Sequence, residues 1–127
     1  MSLTAGDIIS FERTFTKQDI ELFTKVSGDY GNHHLTPDEE GRLVVQGLLT
    51  ATLPTKVGGD NNVLARTMNF EFLRPVYSTD TIRCDVRIDR YDQLENKRTA
   101  IEASFSCKNQ FSKEVLTGGF AGIILPE

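Results

Sequence analysis

The chain has 127 residues, of which 39% are apolar and 25% charged, and its net charge is −4. That suits one ordinary domain with its own core, expected over residues 1–127, and argues against disorder. The acidic balance with no basic block disfavours a nucleic-acid partner or a polybasic membrane anchor, and no apolar run is long enough to span a bilayer.

The start, M-S-L-T-A-G-D, lacks a signal-peptide pattern, so a cytoplasmic protein is expected. Residues 8–15 (I-I-S-F-E-R-T-F) predict a short first strand. In the T-K-Q-D-I-E-L-F-T-K-V-S-G stretch that follows, Thr16 can cap a helix, with Asp19 as an acidic capping-box partner. Ile20, Phe23 and Val26, with Leu22 beside them, form its apolar stripe, and Gly28 is placed to end it.

The stretch 27–34, S-G-D-Y-G-N-H-H, holds both histidines of the chain. Asp29 and His34 lie five positions apart. On a helix that is about 500° of rotation, so the side chains would miss each other. On a strand they would point to opposite faces. They meet only if the backbone between them turns, and Gly28, Gly31 and Asn32 permit tight or left-handed turns. The plain alternative is a helix end followed by a solvated loop.

Residues 43–57 read L-V-V-Q-G-L-L-T-A-T-L-P-T-K-V, apolar nearly all round, which predicts a buried helix. Pro54 should kink or break it, and Gly58 and Gly59 should stop it. Four strand-like segments follow. In V-L-A-R-T-M-N-F-E-F-L, Arg66, Met68, Phe70 and Phe72 alternate with Ala65, Thr67, Asn69 and Glu71. Ile82, Cys84, Val86 and Ile88 face inward against an outer row of Arg83, Asp85, Arg87 and Asp89. Thr99, Ile101, Ala103, Phe105 and Cys107 repeat the inward row. The last segment, V-L-T-G-G-F-A-G-I-I-L, is apolar on both faces and predicts a central strand or an assembly surface. Turn signals at 91–97 and 108–113 suit antiparallel hairpins. Cys84 and Cys107 read as buried free thiols, because they lack metal or redox spacing. The sum is an α+β domain: an antiparallel sheet of five or six strands wrapped around one long apolar helix.

This order of elements resembles the hotdog fold. The residues resemble its MaoC-like dehydratases and (R)-specific enoyl-CoA hydratases. Ser27-Gly28-Asp29, four residues and His34 match the family's S-G-D-x4-H motif, after a helix similar to the family's (F-T-K-Q-D-I-E-L-F-T-K-V-S-G-D). Q-G-L-L at 46–49 resembles its H-G-[ML]-L, and F-L-R-P-V-Y-S-T-D-T-I at 72–82 resembles its strand–turn–strand phrase. The chain departs from the family in having Gly31-Asn32 where Asn-Pro is usual, Gln46 where a histidine is usual, and a shorter stretch between His34 and Gln46.

The resemblance implies reversible hydration of a trans-2-enoyl-CoA to an (R)-3-hydroxyacyl-CoA, with no cofactor and no metal. Asp29 would activate water, His34 would orient it and exchange protons, and the Gly47 N–H would stabilise the thioester oxyanion. Gln46 and Asn32 would face the substrate. Thr55, eight residues past Gly47, would offer a hydroxyl to the site, or else bond back to its own helix. Arg66 and Arg74 would meet coenzyme A phosphates, or else form ordinary surface pairs. Gly47 could equally serve close helix–sheet packing. His33 reads as a loop residue. Met68, Phe70 and Phe72 read as core ahead of an acyl-binding stripe. Coenzyme A is the expected carrier ahead of acyl carrier protein, because an acidic chain does not advertise a basic docking patch. A homodimer or a dimer of dimers is expected, since a lone small sheet leaves edges exposed. A hotdog thioesterase and a non-catalytic acyl-CoA-binding module are the competing readings.

Overall fold

The computed structural model describes residues 3–126; the first two residues of M-S-L-T-A-G-D and Glu127 lie outside the described residues. In chain order it runs β1 (Ile8–Thr14), α1 (Lys17–Ser27), α2 (Asn32–Leu35), α3 (Gly47–Thr50), α4 (Thr52–Asp60), β2 (Val63–Phe72), β3 (Thr81–Gln93), β4 (Thr99–Lys108) and β5 (Glu114–Ile124). A single 3-10 turn, Glu95–Lys97, joins β3 to β4. The strands form one five-stranded sheet in the order β1-β3-β4-β5-β2, with every pair antiparallel. The last strand is paired on both sides, and β1 and β2 are the edges.

Local chemistry explains α1. The Thr16 hydroxyl accepts from the Asp19 N–H, and the Asp19 carboxylate accepts from the Thr16 N–H, a complete capping box. Gly28 closes the helix at φ 72°, ψ 13°. The buried face differs from the expected stripe. Ile20 and Thr24 are buried and Phe23 packs against the core, but Leu22 and Val26 are 62% and 85% exposed. At about 100° per residue, 20, 23 and 24 share one face while 22 and 26 point away from it.

Strands β3 and β4 follow the alternation. Ile82, Cys84, Val86 and Ile88 have no exposed surface, and Thr99, Ile101, Ala103, Phe105 and Cys107 are buried. Both cysteines are free and pair across the strands. Their mutual hydrogen bond, with burial, pushes the Cys107 thiol far up.

The expected long helix is shorter and later. Residues 43–46 are extended rather than helical. The Val45 N–H donates to Val76 O at 2.7 Å, the Ser78 N–H to Leu43 O at 2.9 Å, and Val44 bridges Tyr77. An apolar run cannot by itself distinguish a buried strand from a buried helix. The helix begins at Gly47, breaks at Ala51, and continues to Asp60. Pro54 falls in the first turn of α4, where its missing N–H costs least, and the break precedes it. Gly58 and Gly59 do not stop the helix but lie within its last turn, and the chain leaves through Asn61. Leu49, Ala51, Leu53 and Val57 pack into the same core as Ile82, Val86 and Phe105.

On β2 the pairing with β5 shifts between Ala65 and Thr67. This bulge turns Arg66 away from the row that holds Met68, Phe70 and Phe72.

Candidate active site

The site is built where α1 ends. The Ser27 hydroxyl donates to Phe23 O at 2.7 Å and accepts from the Asp29 N–H at 3.0 Å, so Asp29 leaves the helix in a fixed direction. Asp29 Oδ1 accepts from the Gly31 N–H at 3.1 Å. The chain then enters the single turn of α2, and His34 points back. Its Nε2 lies 3.3 Å from Asp29 Oδ2. A side chain at position 31 would crowd this arrangement. A Cβ there would stand 2.9 Å from the His33 ring, 3.2 Å from the His34 ring and 3.3 Å from Asp29 Oδ1. That is the local reason for glycine where the resembling family has asparagine.

His34 is 5% exposed, and its Nδ1 lies 2.6 Å from Val44 O. A carbonyl only accepts, so Nδ1 carries the proton. In the neutral ring Nε2 is therefore a lone pair facing a carboxylate, and two acceptors repel. A water placed beside the two atoms has a hydrogen for each. The Asp29 carboxylate is half exposed. The arrangement is that of an acid–base pair able to bracket one water molecule.

The extended stretch 43–46 holds the other half. It supplies Val44 O, its Val44 N–H donates to His33 O at 3.0 Å, and it ends where Gly47 starts α3. The Gly47 N–H has no partner among the described residues. A cavity of about 470 Å³ opens here, lined mainly by apolar groups such as Val45, Val76 and Val115, together with His33, His34 and Gly47.

The candidates divide accordingly. His34 and Gly47 line the cavity, Asp29 joins them through its contact with His34, and Arg74 reaches the cavity wall, where its guanidinium donates to Glu114 O at 2.6 Å. Gln46 does not face the cavity. It is 1% exposed, and its amide donates to Ile20 O at 3.2 Å and Thr24 Oγ1 at 2.9 Å, tying α1 to the start of α3. Asn32 is exposed and accepts from the Thr36 hydroxyl at 2.9 Å. Thr55 takes its second alternative: its hydroxyl donates to Ala51 O at 2.9 Å, and it borders a separate cavity of about 180 Å³ with Pro54, Met68 and Phe120. Arg66 stands with Arg90 and Glu102 on another patch, not at this cavity.

Three residues were read differently from the sequence; one of them, Met68, is 40% exposed and not core. His33 is no mere loop residue: it lines the cavity, its ring centroid 3.9 Å from that of His34. Phe72 is not core: it is 52% exposed and lines the cavity. Its place at the end of a strand, just before L-R-P, was the available signal. Among the described residues no three His, Cys, Asp or Glu side chains gather to hold a metal ion, and no helix is long and apolar enough to cross a membrane.

No family model matches the chain. Over 131 residues it is 27% identical to a mitochondrial 3-hydroxyacyl-[acyl-carrier-protein] dehydratase of Arabidopsis thaliana, covering 98% of this chain and 78% of that protein. The structure is similar to that of an (R)-hydratase from A. caviae involved in PHA biosynthesis, with TM-score 0.83, 21% identity and 98% of each chain covered. It is also similar to a MaoC-like dehydratase from Rhodospirillum rubrum, with TM-score 0.71, 14% identity, and 98% of this chain and 94% of that one covered. The chain therefore has the hotdog fold, in the form shared by (R)-hydratases and MaoC-like dehydratases.

Proposed function

We propose that this protein catalyses the reversible hydration of a trans-2-enoyl thioester to a (R)-3-hydroxyacyl thioester. The observation that carries the reading is the Asp29–His34 pair: Nε2 and Oδ2 stand 3.3 Å apart, the ring is anchored through Nδ1, and a free Gly47 N–H borders the same cavity. In the forward direction a water held between the two side chains attacks C3 as Asp29 takes its proton. The C2=C3 π bond breaks, and charge moves to the thioester oxygen. The Gly47 N–H stabilises that charge, by roughly 3 kcal/mol for one well-placed donor. A proton then passes to C2 through His34, and the enolate collapses to the saturated thioester. Run backwards, the same groups remove water from a 3-hydroxyacyl thioester. The acid–base pair contributes perhaps 10²–10⁴-fold.

The fold and the sequence relative support the class, since both are found among hydratases and dehydratases. Coenzyme A is the proposed carrier ahead of acyl carrier protein, and Arg74, which lines the cavity, is the proposed contact for its phosphates. A homodimer or dimer of dimers is part of the reading. Edge strand β2 exposes Leu64 and Met68 and carries unpaired backbone groups, which a second copy would cover.

The test is loss of the enoyl-thioester absorbance of crotonyl-CoA, measured beside Asp29→Asn and His34→Ala. Absorbance loss without thiol release, abolished in both variants, is the expected result. Thiol release would replace the hydratase with a thioesterase. Tight binding without turnover across several chain lengths would leave an acyl-CoA-binding module.

A further inference from the structure

The ring of Phe72 lies on Gly47. A Cβ built on Gly47 would stand 2.9 Å from Phe72 Cε1 and 3.1 Å from Cδ1, closer than carbon atoms pack. Glycine is what lets the ring come down. In a helix the Cα–Cβ direction leans toward the N-terminus, so the ring stands at the end of α3 where the Gly47 N–H is free. Behind Phe72 an aromatic row leads into the core. Its centroid is 6.1 Å from that of Phe70, which is 5.8 Å from that of Phe105. The outer side of the ring meets solvent, since Phe72 is half exposed and is the last residue of an edge strand. The ring is thus supported from one side and has room to turn on the other.

We propose that Phe72 is a specificity-determining residue, a gate over Gly47 that limits the bulk accepted at C2 of the acyl group. The proposal rests on the reading that places the thioester oxygen on the Gly47 N–H. An oxygen about 2.9 Å from that nitrogen brings the carbonyl carbon and C2 into van der Waals range of the ring. An unbranched acyl chain passes along the aromatic surface. A methyl on C2 adds a carbon where the edge of the ring stands, and it enters only if the ring turns out. Neither the aromatic row nor Gly47 itself can give way as readily, because Phe105 is buried and Gly47 is backbone.

The experiment reads binding rather than turnover. Saturated butanoyl-CoA and 2-methylbutanoyl-CoA, which cannot be hydrated, are titrated calorimetrically into the full chain and into Phe72→Ala, Phe72→Leu and Phe72→Tyr. The wild type is expected to bind the branched thioester weaker by about tenfold or more, the scale of one misplaced methyl in an apolar pocket. Phe72→Ala should reduce that preference to about threefold or less, Phe72→Leu should fall between, and Phe72→Tyr should restore it. Phe72→Leu keeps the test open if Phe72→Ala does not fold. Equal preference in the wild type and the truncated variants would overturn the gate, as would a wild type that binds both alike or neither. If preference follows position 72 while crotonyl-CoA is not hydrated, the hydratase reading falls and the gate stands. If crotonyl-CoA is hydrated and preference ignores position 72, the gate alone falls.

Discussion

Strand β3 and the stretch from Ser27 to Leu35 are held in place by different physics. Ile82, Cys84, Val86 and Ile88 have no exposed surface, and each faces another buried residue or packs on one. Between Ser27 and Leu35 only His34 is buried. The stretch is fixed instead by a chain of hydrogen bonds: Ser27 to Phe23, Asp29 to Ser27, Gly31 to Asp29, and His34 to Val44. Burial is non-directional and tolerates exchange of apolar groups of similar volume. Hydrogen bonds fix angles. The sheet therefore supplies stability, and the stretch supplies the placement of two polar atoms.

Substitutions can break that contrast. The largest expected effect is Asp29→Asn, which should cut crotonyl-CoA hydration by about 10²–10⁴-fold, or roughly 3–5 kcal/mol of barrier. The same change should move unfolding free energy by no more than about 0.5 kcal/mol, because the carboxylate is half exposed. Ile88→Ala should do the reverse, losing about 2–5 kcal/mol in denaturant unfolding while residual folded protein keeps its turnover. An Asp29→Asn variant that unfolds, or an Ile88→Ala variant as stable as the parent, would erase the distinction.

Thr16→Ala should cost about 1 kcal/mol through the lost helix cap. The cap also makes stability depend on pH. The Thr16 N–H, with the Thr16 hydroxyl and the Arg13 guanidinium, holds the Asp19 carboxyl below its ordinary value, and the Ser10 hydroxyl does the same for Asp85. Both folded values lie below the unfolded ones. The unfolded chain therefore takes up these protons first, and the stability they contribute is present above about pH 4 and lost as pH falls through the folded values. Acid titration of the Thr16→Ala variant should show a shallower loss. The smallest effect belongs to Arg83→Ala. Its exposed pair with Asp85 should contribute no more than about 1 kcal/mol, readable as a Tm shift near the limit of detection.

How much was legible in the sequence varies by element. The inward rows of β3 and β4 were readable because a two-residue period places every second side chain on one face, and nothing interrupts it until the shift after Ile88. Row β2 was misread at Arg66 because a bulge adds one residue and reverses the faces without any local mark. Residues 43–46 were misread as helix because their hydrogen bonds go to 33, 76 and 78, none of them neighbours in sequence. The Asp29–His34 pair was readable as a pair, since only a turn could join them. His33 and Phe72 were not placed at the site, because what decides their position is the cavity they border.

By itself the sequence determined the elements whose causes are local: the Thr16–Asp19 cap, the Gly28 stop, and the alternation along β3 and β4. Tertiary structure alone decided that Val44 O would fix the proton on His34, that Gln46 would bind α1 rather than substrate, and that Phe72 would lie on Gly47. The division is physical. Caps and periods depend on atoms a few residues apart, whereas these three contacts join segments that meet only when the sheet and helices close on one core.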